Sequence, residues 1–336
     1  MLFSKRLIFS ISCVFFFSFS VLAQAPNAQS KQTKTLTPNK IQLALNWKAE
    51  AEFGGFYEGN IKNFYKEKSL DVSIIEGGSG APVPQLVASK KVEFGIVTGD
   101  EIIVAQARGM DIVALFAVYQ IFPQGIMTHE ARGFKSLEDV FNAPGLLALQ
   151  KGAPFALYLE KKYAKNKKVK VVPFTGGVAP FIKNSDFSQQ CFVTSEPLSA
   201  RKMGKAAKTF AVADSGYNPY TAVVIAHRDF IKKNPDLVDR FLKATQLGWD
   251  SYLKDPKAAN DFMRKLNPSI EEDIFQLSSE VQVPFIVSDE TKTNGTGFMT
   301  SARWEELGKQ LVDVGVIKAK ELKSASSYFE WRLPSK

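Results

Sequence analysis

Apolar and polar positions alternate in short blocks along most of this chain. Brief β-branched or aromatic runs predict strands over 41–45, 72–76, 92–97 and 112–119. Between them, helical spacing predicts helices over 55–68, 82–89 and 101–108. A second series begins near His129, with strands over 146–150, 169–174, 190–194, 210–213 and 221–227. Its helices fall at 137–141, 154–165, 178–184 and 197–203. From 235 the pattern is helical: 235–253, 256–266, 270–281 and 301–314. Strands alternating with helices predict α/β units around mostly parallel sheets. Two series of this kind predict two α/β lobes. The chain would cross between them near 124–129 and 221–226, with the helical C-terminal part packed back on the first lobe. The expected division is 41–127 plus 224–320 for lobe 1, 128–223 for lobe 2, and a tail over 321–336.

The ends add an expectation about destination. Lys5 and Arg6 precede an uncharged run from Leu7 to Leu22, and small residues follow at Ala23 and Ala25. This reads as an export signal over 1–23, too short to span a bilayer, so a periplasmic location is expected. Residues 24–40 are rich in Gln, Asn, Thr, Lys and Pro and read as a flexible leader. With the signal gone, Cys191 is the one cysteine left, which excludes an internal disulfide. The formal charge is +9, falling by two when Lys5 and Arg6 leave. The lysines are scattered, as at 161–162, 165–170 and 318–323, which suits a solvated surface and a monomer better than a nucleic-acid module.

Ligands of open α/β sheets sit beyond the carboxyl ends of the strands. Those ends carry Trp47, Ser79 and Gly80, Asp100, Gln120, Thr175-Gly176-Gly177, Glu196, and Tyr217-Asn218 with Tyr220. Phe53 and Tyr57 follow in the first loop and helix. Glycine loops and helix starts present backbone N–H groups to acceptor atoms, although tight βα turns need the same glycines for geometry alone. Trp47, Phe53, Tyr57, Tyr217 and Tyr220 are candidates for stacking on a flat ring; packing inside or between lobes is the competing reading. Glu196 and Asp100 would accept ring N–H bonds, or would serve as carboxylates favoured at helix starts. No acid–base dyad, Walker loop, GxSxG or GxGxxG pattern is present, and neither histidine has partners at metal-ligand spacing. No catalytic residue, metal or cofactor is expected.

The order of several segments resembles the solute-binding proteins of ABC importers. The group in question includes binders of thiamine pyrimidine precursors, riboflavin, sulfonates and nitrate, with the related yeast-type pyrimidine synthases. Its carriers are Leu45-Asn46-Trp47, Gly55-Phe56-Tyr57, Leu70-Asp71-Val72, Val92-Glu93-Phe94-Gly95-Ile96 and Ala105-Gln106-Ala107-Arg108-Gly109. Further carriers are Thr194-Ser195-Glu196-Pro197, Asn234-Pro235-Asp236-Leu237-Val238 and Thr296-Gly297-Phe298-Met299-Thr300. The resemblance implies a type II periplasmic-binding fold, two α/β lobes joined by a two-crossing hinge. Such a protein closes on a small molecule and hands it to a membrane permease and its ATPase. It also implies that Trp47 and Tyr217 or Tyr220 stack on an aromatic N-heterocycle, with a sulfonate or nitrate-like anion as the alternative. The synthases carry an essential His in the loop after the first Trp and a cysteine cluster before the long helix. Here 49–55 has no His and 215–220 no Cys. The expectation from these departures is a binder and not an enzyme.

Overall fold

The computed structural model describes residues 38–334. The expected signal, most of the leader, Ser335 and Lys336 lie outside the described residues. The described strands form two five-stranded sheets. The first contains β1 (Asn39–Ala44), β2 (Leu70–Ile75), β3 (Phe94–Val97), β4 (Ile112–Tyr119) and, from far along the chain, β10 (Thr221–His227). Its order is β2-β1-β3-β10-β4. The second contains β5 (Gln124–His129), β6 (Leu146–Leu149), β7 (Lys170–Pro173), β8 (Phe187–Phe192) and β9 (Ala207–Ala211), in the order β7-β6-β8-β5-β9.

Both sheets are mixed, which corrects the expectation of mostly parallel ones. β1 runs parallel to β2 and β3, and β6 parallel to β7 and β8. β10 runs antiparallel to β3 and β4, and β5 antiparallel to β8 and β9. Parallel neighbours need a long crossover connection. β5 and β10 arrive straight from the other sheet, so nothing forces them parallel. The chain leaves the first sheet after Tyr119 and enters the second at Gln124; it returns between Ala211 and Thr221. The segments read as crossings, 124–129 and 221–226, are therefore sheet strands, and the passages lie several residues earlier. β8 likewise begins at Phe187, ahead of the expected 190, because its polar residues Ser188, Gln189 and Gln190 are buried.

The helix expected over 55–68 is broken in two, Gly54–Ile61 and Phe64–Glu67. Asn63 between them is left-handed at φ 62°, a conformation that asparagine tolerates better than most residues. The long helix Pro235–Tyr252 buries Val238, Phe241, Leu242, Thr245, Trp249 and Tyr252 along one face. Phe241 stacks on Phe94 of β3 with ring centroids 3.8 Å apart and on Tyr65 at 5.4 Å. Helix Gly54–Ile61 crosses it closely. A Cβ on Gly248 would stand 2.3 Å from the Gly55 carbonyl oxygen, and one on Gly55 would stand 2.2 Å from the Trp249 ring. Only glycine allows this approach.

The C-terminal part packs on the first sheet. Ala117 N donates to Gly297 O (2.9 Å), and Ala114 N to Tyr328 O (2.9 Å). The expected tail over 321–336 is thus structured up to 334, with Ala325, Tyr328 and Leu333 buried. Both passages between the sheets are tied to this part. Gln120 N and Ile121 N both donate to Phe285 O. Arg303, on helix Ser301–Asp313, lies 3.9 Å over the Tyr220 ring and donates to Asn218 O (3.0 Å) and Oδ1 (3.1 Å). Asn218 Oδ1 in turn accepts from Phe122 N (2.7 Å). No helix among the described residues is long and apolar enough to cross a membrane.

Candidate functional site

A cleft of about 480 Å³ opens where the two sheets face each other. Its first-lobe wall includes Trp47, the 78–82 turn and the N-terminal end of helix Gly99–Ala107; its second-lobe wall includes Gln190, Phe192 and Glu196.

The Trp47 loop is held on several sides. Trp47 O accepts from Gly77 N (2.9 Å), Ala49 O from Asn267 Nδ2 (3.1 Å), and Ala51 O from Gln282 Nε2 (3.1 Å). The half-buried indole donates from Nε1 to Glu50 Oε1 (3.0 Å), which fixes the ring's direction. Ser195 of the second lobe lies beside Glu50 and lines the same small pocket. Glu50 therefore reaches across the cleft to the start of helix Glu196–Lys202. Glu196 Oε2 accepts from Phe192 N (2.8 Å). Glu52 joins Glu50 and Glu196 on the same lining.

These three carboxylates crowd one another in a poorly solvated place. Burial, then the neighbouring Glu196, pushes Glu50 up to about 8, against weaker opposition from its hydrogen bonds and Lys48. Burial pushes Glu196 up to about 7. Burial, then Glu50 and Glu196, holds Glu52 well above the usual carboxylate range. Groups titrating near neutral pH inside a cleft are functional candidates on physical grounds. The sequence reading found no such set because the three residues share no local spacing. The chain folds Glu196 onto a loop about 146 positions upstream, at Glu50.

A stability consequence follows. Both Glu50 and Glu196 sit above the unfolded value of 4.5, so the folded protein keeps protons that the unfolded chain releases. Their contribution is complete below about pH 4.5 and is lost as pH rises through about 7 and about 8. The melting temperature of the ligand-free protein is expected to fall across this window. The Glu50→Gln protein should show a shallower fall. Equal slopes for the two proteins, by differential scanning fluorimetry against pH, would contradict the crowding.

Of the fourteen residues expected at the site, Trp47, Ser79, Gly80, Asp100 and Glu196 line the cleft. Asp100 is largely committed already. Its Oδ2 accepts from Tyr217 OH (2.7 Å), and its Oδ1 from Glu101 N (2.9 Å) and the Thr98 hydroxyl. Tyr217 and Tyr220 are buried, at 0% and 1% exposure, which corrects their reading as stacking rings. Tyr217 packs against Tyr158 and Phe122, and Tyr220 lies between Arg303 and Trp304. Asn218 is bound into the hinge. Phe53 and Tyr57 are core residues, and Gln120 is buried with its amide nitrogen on Ala117 O (3.0 Å). Thr175, Gly176 and Gly177 form a neighbouring turn outside the lining, where Gly177 O accepts from Gln189 Nε2 (2.9 Å). Gly176 still comes near the indole: a Cβ there would lie 3.9 Å from Trp47 Cζ2. The apolar wall instead includes Phe122, Phe155, Phe174 and Phe192, which the pattern did not separate from core positions. Outside the cleft, Asp111, His227 and Asp229 bring ligand atoms within 4.8 Å of one another, a grouping the sequence reading missed. Arg228 pairs with Asp111 and Lys90 with Asp229, each at 2.9 Å.

The family model described as "NMT1/THI5 like" matches residues 50–259, more than half of the chain and including Glu50, Glu52 and Glu196. The chain belongs to the NMT1/THI5-like family. It is 26% identical over 257 residues to a 4-amino-5-hydroxymethyl-2-methylpyrimidine phosphate synthase of Candida albicans (strain WO-1), covering 71% of this chain and 75% of that protein. It is 22% identical over 308 residues to the riboflavin-binding protein RibY of Chloroflexus aurantiacus, covering 88% and 85%. Among solved structures, the periplasmic aliphatic sulphonate binding protein SsuA of Escherichia coli superposes with a TM-score of 0.66 at 14% identity, covering 89% and 94%. The fold is thus that of periplasmic binding proteins. The expectation that the chain is not an enzyme is overturned by the synthase relatives, several of which match it. That expectation rested on a missing His and missing Cys residues, yet the cleft brings three carboxyls together, Glu50, Glu52 and Glu196.

Proposed function

We propose that this NMT1/THI5-like protein is an exported solute-binding component of an ABC importer. It captures an aromatic N-heterocycle between its lobes and delivers it to the permease. The observation that carries this reading is the pairing of a fixed indole, Trp47, with hydrogen-bond acceptors on both lobes, Glu50 and Glu196. A ring held flat on the indole would donate its N–H groups to those carboxyls. An anion in the same place would make ionising these three carboxyls costlier still, whereas an N–H donor stabilises their ionised form, so the site suits a ring better than a sulfonate or nitrate. The names of a riboflavin-binding and several pyrimidine-making relatives support a ring of this class. Those pyrimidine-making relatives, and the Glu50–Glu196 pair, also favour a second reading in which the bound pyrimidine or pyridine is chemically changed.

The test is a thermal-shift screen of riboflavin, aminopyrimidines, ethanesulfonate and nitrate, followed by mass spectrometry of each bound compound. A ligand at 100 times its dissociation constant adds about 2.7 kcal/mol. A ring should raise the melting temperature, and Glu196→Gln should weaken it while sparing any sulfonate. Recovery of an altered compound would favour the second reading. A shift with ethanesulfonate or nitrate alone would defeat both.

A further inference from the structure

The fold sorts the chain's charge by lobe. Residues 124–211, which hold every strand of the second sheet, carry 14 Lys and Arg against 6 Asp and Glu, a net charge of +8. The other described residues carry 24 against 28, a net charge of −4. The densest part of the positive lobe is 161–170, where six of ten positions are lysine and all six are exposed. Lys167 pairs with Glu160 at 3.2 Å. Among the described residues, no carboxylate pairs with Lys161, Lys162, Lys165, Lys168 or Lys170. Lys161 and Lys162 reach the carbonyls of Asp313 and Ser215, which leave their charge in place.

Local structure accounts for part of this run. Lys161 and Lys162 fall in the last turn of helix Pro154–Tyr163, where the helix dipole favours cations. Lys170 opens β7, an outer strand of the second sheet, and lysine there discourages pairing with other chains. Lys165, Lys167 and Lys168 lie in the turn between, which no rule of helix or strand requires to be basic. The make-up of the patch indicates what it meets. Tight protein contacts are enriched in Tyr, Trp and Arg and depleted in Lys. The run 161–170 holds no arginine, and the large exposed apolar side chain on the same helix is Leu157, at 37%. A compact ammonium on a flexible stem needs no matching geometry, which suits a diffuse anionic sheet.

We propose that the second lobe adsorbs to an anionic lipid bilayer through the lysines of 161–170. Each lysine near such a surface raises affinity about 5-fold, so several acting together hold a protein reversibly. A single half-exposed leucine is too little to insert, so the attachment is electrostatic and salt-sensitive. The first lobe, with its opposite net charge, gains nothing from the same surface, so the second lobe faces the lipid. The protein is thereby kept in the plane where a membrane permease is met. This goes beyond the ligand reading and holds whichever compound the cleft takes.

Sedimentation of the full-length chain with vesicles tests this. The vesicles are phosphatidylcholine alone, and phosphatidylcholine with an equal part of phosphatidylglycerol. At low salt the protein should pellet with the anionic vesicles and stay in solution with the neutral ones. At about 1 M salt, where charges are screened beyond about 3 Å, it should be released. The Lys165→Gln/Lys168→Gln/Lys170→Gln protein should partition about 10- to 100-fold less. Lys66→Gln/Lys91→Gln/Lys232→Gln removes the same charge from exposed positions of the first lobe and should stay within about 2-fold of wild type. Both variants should keep the wild-type circular dichroism spectrum. Equal retention on the two kinds of vesicle, a second-lobe variant that binds like wild type, or an equal loss in the two variants overturns the proposal. No retention on the anionic vesicles at low salt also overturns it, and directs the patch to an acidic protein surface. Each of these results leaves the ligand reading standing.

Discussion

Replacing Trp47 by alanine is expected to weaken any ring ligand about 10- to 100-fold, the worth of one lost stacking face at about 1–3 kcal/mol. The far-UV circular dichroism spectrum should not change. The loop keeps its backbone anchors to Gly77, Asn267 and Gln282 after the indole is removed. Glu50 also loses the Trp47 Nε1–H donor that opposes its raised pKa. The variant should therefore bind best at a slightly different pH as well as more weakly. Titration calorimetry with whichever ring the screen identifies decides the matter. An affinity within about 2-fold of wild type would take the indole out of the site.

The second large effect concerns stability. Gly248→Ala places a methyl 2.3 Å from the Gly55 carbonyl oxygen and 3.0 Å from Gly59 N, both main-chain atoms that cannot rotate away. The helix Gly54–Ile61 must then lift off the helix Pro235–Tyr252, pulling Trp249 out of its fit against Phe56. Overpacking of this kind costs about 1–3 kcal/mol and occasionally more. The better helix propensity of alanine returns up to about 1 kcal/mol, so a net loss of about 1–2 kcal/mol is expected. Urea unfolding should show a lower midpoint for this protein. Gly78→Ala, where an added Cβ meets nothing within 4 Å, serves as the comparison. Equal midpoints would mean that the two helices do not approach as described.

Local rules were enough for most of the fold. β4 and β10 fall where the sequence placed them, because each is a long apolar run bounded by turns. The helix Pro235–Tyr252 was legible from its apolar spacing after a proline start. β5 was not. Gln124-Gly125-Ile126-Met127-Thr128-His129 has no strand-like alternation, and its burial comes from pairing with β8 and β9 on both sides. Long-range pairing overrides a weak local signal.

The site was legible only in part, for a related reason. Trp47 and Glu196 were found because a strand end and a helix start mark them locally. Tyr217 and Tyr220 carried the same mark, yet their hydroxyls turn to Asp100 and Thr300. A polar turn satisfied by the protein's own helix start looks, in sequence, like one waiting for a ligand. Glu50 and Glu52 were passed over because nothing near them in the chain announces a partner. Their significance appears only when Glu196 arrives from the other lobe.

The placement of β10 bears on the order in which the molecule assembles. Every strand of the second sheet lies within a continuous stretch from Gln124 to Ala211. That half has its complete sheet as soon as its own residues are made. The first half does not, because the strand between β3 and β4 is Thr221–His227. Until it inserts, two apolar strands keep open edges of the sort that invite pairing with other chains. Waiting for a distant segment also slows closure. The part of the molecule written first is therefore the part finished last, and its sticky interval lasts until the other half has been synthesised.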